Sequence, residues 1–424
     1  MATSMLDSPH QYSTSSVDQP RIGRLEFIAL MAALQSMNAL AIDIMLPALG
    51  TIAHDFKIAA GNERQFIVTA YILGMSIGSI IYGSLADRFG RKPILLICLA
   101  AYTFFAVMCV LSNSFSVLLI ARLCQGLAGA SMVVLTSSII RDRYEGDAMA
   151  RLTSTIMMTF MIVPVIAPSI GQLILLFGNW HEIFILLGIL SSALLIWVFL
   201  RLPETLHPEY RIAINLRAIS QTWRYILSDR NALGHVIASG LVMGGLFGYI
   251  SSAQQLIVEA FDSGAAFGLI FAAIAGGLAV ANFTNSRIVE RFGARRVSQA
   301  ALITYVGMSV IHAALAAAGV LTFPLFVILL AGCISMIGFT GANFSSIAMQ
   351  PFGGMAGAAS SFQTFVRSAL GTGIGAAIGL MYDGSERPLV FGFLLCGIAA
   401  FLLILWAENG KLFQRRNFPA TLDV

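Results

Sequence analysis

Three ionisable side chains stand where charge is costly: Asp43, Arg122 and Arg367 each interrupt a long apolar stretch. A charge at the middle of a bilayer costs about 2.5–3.5 kcal/mol on insertion scales, so such a group is a functional candidate by default. Asp43 lies about eighteen residues into the first stretch, which at ~1.5 Å per residue carries it past the midplane. Burial favours the neutral form of a carboxyl and a nearby cation favours the charged form. A carboxyl balanced between the two takes up and releases protons as its access to water alternates. The competing reading is a structural carboxylate capped by Asn38 or a hydroxyl. Arg122 lies about six residues into the fourth stretch, which is entered from the opposite side, so its depth is similar. Arg367 lies about ten residues into the eleventh stretch, near the midplane, and the second half of the chain offers no acid at comparable depth. It reaches across to Asp43, receives an anionic or carbonyl-bearing substrate, bonds polar groups such as Asn343 and Gln363, or is purely structural; the residues leave these open.

The elements that position these groups follow from composition. The chain is 58% hydrophobic and 11% charged, with mean hydropathy +0.83, whereas a soluble domain carries roughly 25% charged residues. Such a chain cannot cover a surface exposed to water, so its solvent is largely lipid. A ~30 Å hydrocarbon core needs about 20 apolar residues. Runs of that kind fall at 25–50, 65–86, 93–111, 116–140, 150–177, 182–201, 231–258, 266–287, 297–318, 322–347, 357–381 and 388–408. Backbone groups in lipid need internal partners, so each run predicts a helix. The fold class is therefore an all-α integral membrane protein of twelve transmembrane helices. The expected organisation is a disordered tail at 1–24, a first bundle at 25–201, a linker at 202–230, a second bundle at 231–408 and a tail at 409–424. The Ser/Thr-rich start, Met1–Pro20, has no apolar stretch and does not read as a signal peptide.

Orientation follows from the bases. With a cytoplasmic N-terminus, Arg21, Arg24, Arg88, Arg91, Lys92, Arg141, Arg143, Arg151, the linker arginines, Arg287, Arg291, Arg295, Arg296, Lys411, Arg415 and Arg416 all fall inside. Only Lys57, Arg64 and Arg387 fall outside. The bias predicts both termini in the cytoplasm. In the linker, Leu216, Ile219, Trp223 and Ile226 fall at helical spacing against Arg217 and Arg224, which predicts a short amphipathic helix on the inner leaflet or packed on protein.

The halves are related. GSLADRFGRKPI (Gly83–Ile94) returns 203 residues later as SRIVERFGARRV (Ser286–Val297). Asp87 matches Glu290, Arg88 matches Arg291, Phe89 matches Phe292, Gly90 matches Gly293 and Lys92 matches Arg295. A basic loop repeated between membrane-length segments implies a duplicated half-bundle, which is transporter architecture. GTGIGAAIG (Gly371–Gly379) lacks the preceding strand of a dinucleotide loop. Its four-spaced glycines, like Gly74 and Gly78, predict close helix packing.

These motifs are specific enough to carry a resemblance. GSLADRFGRKPI resembles the loop signature of the major facilitator superfamily between its second and third helices. LLIARLCQGLAGA (Leu118–Ala130) resembles that superfamily's fourth-helix signature in drug–proton antiporters, and LAIDIMLPAL (Leu40–Leu49) its first-helix signature. IIRDRYEG (Ile139–Gly146), LPETL (Leu202–Leu206), AGAASSFQTF (Ala356–Phe365) and YDGSERPL (Tyr382–Leu389) extend the likeness, which is greatest to the bicyclomycin- and chloramphenicol-resistance branch. The fifth-helix antiporter signature departs. In VPVIAPSIGQ (Val163–Gln172), Pro168 and Gly171 remain, while Val163, Ala167 and Gln172 replace glycines. Pro164 and Pro168 still free backbone carbonyls and permit a kink.

The resemblance implies two pseudo-symmetric six-helix bundles with helices one, four, seven and ten around a central cavity. It implies that Asp43 and Arg122 communicate as the proton-coupling pair, with a static ion pair as the alternative. It places Asp87, with Arg88, Gly83 and Gly90, at an inner gate, with Arg141 the expected partner of Asp87. The start of helix eleven, near Ala356–Ala358, would add a favourable dipole in the outward-open state. Glu290 and Arg291 would be a weaker copy. Gln35, Asn38, Gln125, Tyr249, Asn343 and Arg367 are the implied substrate contacts, each in competition with an ordinary packing hydrogen bond.

Other chemistry is disfavoured. Cys98, Cys109, Cys124, Cys333 and Cys396 lie in apolar runs without metal-ligand spacing and read as small hydrophobes. The six His residues form no catalytic constellation, and no phosphate loop appears. The expectation is a non-enzymatic, monomeric transporter of the bacterial inner membrane. It would need no cofactor, metal or nucleic acid, and would export amphipathic small molecules or drugs against protons. Transport of a specific metabolite is the alternative, and a non-transporting sensor is a further one.

Overall fold

The computed structural model describes residues 22–58, 62–144, 146–211, 216–261 and 263–414. Arg21, Arg415 and Arg416, and with them the tail at 1–20, lie outside these residues. Among the described residues there are helices and no strands. Twelve are long: α1 (Arg24–Asp43), α2 (Phe66–Phe89), α3 (Arg91–Val110), α4 (Phe115–Arg143), α5 (Gly146–Phe177), α6 (Trp180–Arg201), α7 (Arg230–Gln254), α8 (Phe267–Phe292), α9 (Ala294–Ala317), α10 (Phe323–Met349), α11 (Ala356–Leu380) and α12 (Arg387–Ala407). Eleven spans are long and apolar enough to cross a membrane. The remaining helix, α11, is 25 residues long and carries Arg367 among Gly, Ala, Ser and Thr.

Helices α1–α6 form one bundle and α7–α12 the other. The bundles meet along two seams, α2 against α11 and α5 against α8. Because successive helices alternate in direction, each bundle has a terminal end, where α1 begins and α12 ends, and a distal end. Between lipid-surrounded helices there is little hydrophobic drive to associate, so close approach of small residues matters more. A side chain at Gly126 would strike the Tyr71 carbonyl of α2, and one at Gly375 would lie 2.8 Å from the Phe247 carbonyl carbon of α7. The four-spaced glycines of α11 thus serve packing.

Two features depart from the sequence reading. The run at 25–50 is not one helix. α1 stops at Asp43, a turn and a 3-10 segment (Leu46–Ala48) follow, and a short helix (Leu49–Asp55) completes the crossing. Pro47 is the cause: it has no N–H, and in a continuous helix that N–H would bond the Asp43 carbonyl. The linker helix, Leu216–Ser228, packs on protein over the part whose side chains are described. Trp223 packs on Phe362 of α11 with rings tilted and 5.3 Å apart, Tyr225 meets Phe352 edge-on at 5.6 Å, and Ile226 is buried.

Candidate functional site

The polar core of the first bundle is built around Arg122, fully enclosed at 0% exposure. Its guanidinium is held on every side. Nη1 donates to Gln125 Oε1 at 2.8 Å, Nη2 to the Ala41 carbonyl at 3.1 Å and Nε to the Ile67 carbonyl at 3.3 Å. The Tyr71 ring lies 4.4 Å from its central carbon and the Phe184 ring 5.7 Å away. Tyr71 Oη donates to Asn38 Oδ1 at 2.7 Å, and Asn38 Nδ2 donates to the Gly129 carbonyl at 3.0 Å. The knot ties α1, α2 and α4 together, and the aromatic faces stabilise a cation that has no carboxylate beside it.

Asp43 stands just beyond this knot, on the last residue of α1, with 4% of its surface exposed. Among the described residues it has no hydrogen-bond or ion-pair partner. The expected Asp43–Arg122 pair is therefore not formed in this structure. Arg122 reaches the same place through backbone, at the carbonyl of Ala41, and its other two nitrogens donate to Gln125 and Ile67. The break that Asp43 borders is packed from α5, where a side chain at Gly171 would strike the Ile44 carbonyl and come within 2.9 Å of Pro47 Cγ. From the second bundle, α7, which carries Tyr249, packs against the Leu46–Ala48 segment of the break. Tyr249 is buried, stacks on Phe271 at 5.6 Å, and its hydroxyl has no hydrogen-bond partner. The break in α1 thus sets an unpaired carboxyl beside a guanidinium bonded at all three nitrogens, with the second bundle packed against it.

Every hydrogen bond and ion pair recorded between the bundles among the described residues lies at the distal end. Asn62 Nδ2 donates to the carbonyls of Leu380 (3.0 Å) and Tyr382 (2.7 Å), and its Oδ1 accepts from Gln255 Nε2 at 2.9 Å. Gln65 donates to Gln255 and to the Gly379 carbonyl. Arg64 Nη2 pairs with Glu259 Oε1 at 2.6 Å. Gln172 donates to the Gly264 carbonyl at 3.0 Å and accepts from the Gly268 N–H at 3.1 Å. Gln255 and Glu259 sit on a π-helical turn, Gln255–Ala260, that extends α7; such turns often mark functional positions. The sequence reading has Gln172 only as a replaced glycine and Arg64 only as an outer-side base, and does not single out Asn62 or Gln65. Their one legible signal was a polar cluster at the mouth of the second apolar run.

At the terminal end the repeated loop forms a charged cluster. The Asp87 partner is Arg91, one turn on, at 2.5 Å, in place of the expected Arg141. Arg91 Nε also pairs with Asp142 at 3.0 Å. Arg141 is exposed and without a partner among the described residues, because the acid next to it, Asp142, turns inward. Glu204, from the LPETL segment, accepts the backbone N–H groups of Arg91 (2.9 Å) and Lys92 (3.2 Å), capping α3. Gly90 has φ +103°, which favours glycine, and a side chain there would strike Glu204. Arg88 is exposed and lies over the Phe89 ring at 5.2 Å. Gly83 approaches Ser361 of α11, the point where the bundles come close at this end without a hydrogen bond.

Of the remaining implied contacts, Asn38 is consumed in the knot. Asn343 donates to Asn285 Oδ1 and the Phe339 carbonyl, both at 2.8 Å, so it too packs helices. Gln35 is buried on α1 without a hydrogen bond among the described residues. Gln125 keeps Nε2 unpartnered, and so do Gln363 at Nε2 and Arg367 at Nε.

A family model described as Major Facilitator Superfamily matches residues 31–376. The chain is 30% identical over 395 residues to a bicyclomycin resistance protein homolog of Haemophilus influenzae, covering 92% of this chain and 98% of that one. It is 26% identical to the multidrug resistance protein MdtL of Shigella dysenteriae, covering 91% and 96%. The solved structure of a D-xylose-proton symporter aligns over 91% of this chain and 98% of its own with TM-score 0.70 at 16% identity, which is a likeness of fold. From the matched family model and the near full-length relative, the chain belongs to the Major Facilitator Superfamily.

Proposed function

We propose that this protein exports amphipathic small molecules, drugs among them, across a bacterial inner membrane in exchange for protons. The observation that carries the reading is Asp43: a buried carboxyl, unpaired among the described residues, at a helix break against which α7 of the opposite bundle packs. A carboxyl with no fixed counter-charge changes its proton occupancy when its access to water changes. Arg122 holds the carbonyl end of α1, so strain at the break is felt in the knot. The names of the relatives, for bicyclomycin and multidrug resistance, support drugs as cargo. The basic residues at the terminal end support placing both termini in the cytoplasm. On that orientation the distal latch closes the outer face. Rocking of the bundles would break the latch while the Asp87–Arg91 cluster regulates the inner side.

The test is a drug-susceptibility panel in an efflux-deficient host, including bicyclomycin and chloramphenicol. Wild type is expected to raise tolerance to at least one compound, and Asp43→Asn at equal membrane abundance is expected to lose it. Equal tolerance from both proteins rejects Asp43 as the coupling group; no tolerance from either rejects drug export.

A further inference from the structure

Arg367 is the half-buried cation of α11 that the coupling site leaves unexplained. Its helix, α11, runs about eleven residues from its start to Arg367, some 16 Å at ~1.5 Å per residue, beyond the reach of headgroups. Its Nε is enclosed and has no acceptor, and no acid pairs with it among the described residues. The partners open to it by position are otherwise engaged or absent: Asn343 is bonded to Asn285, and Asp43 makes no ion pair. One turn before it on the same helix face stands Gln363, 4% exposed, whose Nε2 also lacks an acceptor.

The face they share is not the lipid face. Gly371 and Gly375, the next two positions of the same four-residue stripe, lie against Met243 and Phe247 of α7. The outer side of α11 is marked by Ala377 and Met381, which line a surface groove with Phe391 and Leu395 of α12. Two unsatisfied donors on one interior face, one of them charged, call for an acceptor. A neutral carbonyl would meet the hydrogen bonds but leave the charge, and a charge held partly out of water gains from a compensating one. A guanidinium and an amide at this spacing suit a planar oxyanion.

We propose that Arg367 and Gln363 form the receptor for the anionic group of an amphipathic substrate. The inference rests on the export reading but is tested apart from it, by binding. The probes are 1-anilinonaphthalene-8-sulfonate and N-phenyl-1-naphthylamine, which differ by the sulfonate alone. Each is titrated against the full chain in nanodiscs of phosphatidylcholine, corrected for empty nanodiscs. The sulfonate is expected to bind saturably. Arg367→Gln should weaken it about tenfold or more, as expected for loss of a charged hydrogen-bonding partner. Arg367→Lys should weaken it less, and Gln363→Leu severalfold. Binding of the neutral probe should change less than about twofold, the ordinary scatter of a surface-neutral substitution. Adding phosphatidylglycerol should leave the native affinity unchanged; competition by that lipid would assign the site to headgroups and overturn the proposal. So would the absence of a saturable sulfonate site, or equal effects of Arg367→Gln on both probes. If tolerance in the host is present while the sulfonate binds indifferently, the receptor fails and export stands.

Discussion

The two copies of the repeated loop have the same backbone and opposite electrostatics. Gly90 and Gly293 both take positive φ, +103° and +86°, between consecutive helices. In each bundle an acid from beyond the sixth helix braces the start of the third: Glu204 accepts from Arg91 and Lys92, and Glu408 accepts from Arg295 Nε at 2.8 Å. In the first copy the Asp87 carboxyl stays near water, its side chain 43% exposed, while its partner Arg91 is buried and also paired with Asp142. In the second, Glu290 is exposed and without a partner among the described residues. Charge has moved to Glu408, 1% exposed, in a buried cluster with Arg295, His235, Asn231 and Gln350. A pair at the surface exchanges partners cheaply; a pair in the interior does not, since separating it strands a charge. The duplication therefore yielded one loop able to switch and one that holds.

Glu408→Ala gives the largest effect if this contrast is right. Stranding Arg295 should cost about 3–5 kcal/mol and lower the melting temperature in detergent sharply. A loss as small as that of Asp87→Ala would erase the distinction. Acid sharpens it. Burial pushes the Glu408 carboxyl up, but the hydrogen bond and charge of Arg295, with the Asn231 amide, outweigh burial and hold it below the usual range. A group lowered on folding stabilises above its unfolded pKa, about 4.3 for Glu, and loses that contribution as pH falls through the folded value. Native melting temperature should thus decline below about pH 4.3 more steeply than that of Glu408→Gln. Next in size, Gly90→Ala should destabilise by more than the ~1–2 kcal/mol of left-handed strain, because Glu204 is in the way, whereas Gly293→Ala should cost about that strain alone. Equal losses would show that the Glu204 cap does not matter. Smallest in stability is Asp87→Asn, under about 1 kcal/mol. It should slow transport while leaving substrate affinity intact, as single-turnover release against equilibrium binding would reveal.

The spans, their order and the repeated loop were legible in the sequence because lipid imposes length and hydropathy on each segment independently. Gly371 and Gly375 were legible for the same local reason. Partner choice was not. Asp87 had Arg91 within one helical turn and Arg141 across the bundle, and nothing in the spacing told which way Asp142 would turn. Asn38 and Asn343 sat on helices expected to line a cavity, yet their amides found Gly129 and Asn285, neighbours visible only once helices are packed. The break after Asp43 was within reach: Pro47 sits four residues on, where its missing N–H matters. An apolar run long enough to span concealed it.

The distal latch has a consequence for energetics. Apart from Arg64 and Glu259 it consists of amides and carbonyls, each worth about 0.5–1.5 kcal/mol net. Such bonds are deaf to salt and to acidity. Asn62, Gln65 and Gln255 also share partners, so releasing one loosens the rest, and the seal parts as a zipper does, all teeth or none. Ionic conditions on that side of the protein have little purchase on it; the force that opens it has to arrive from within the bundles.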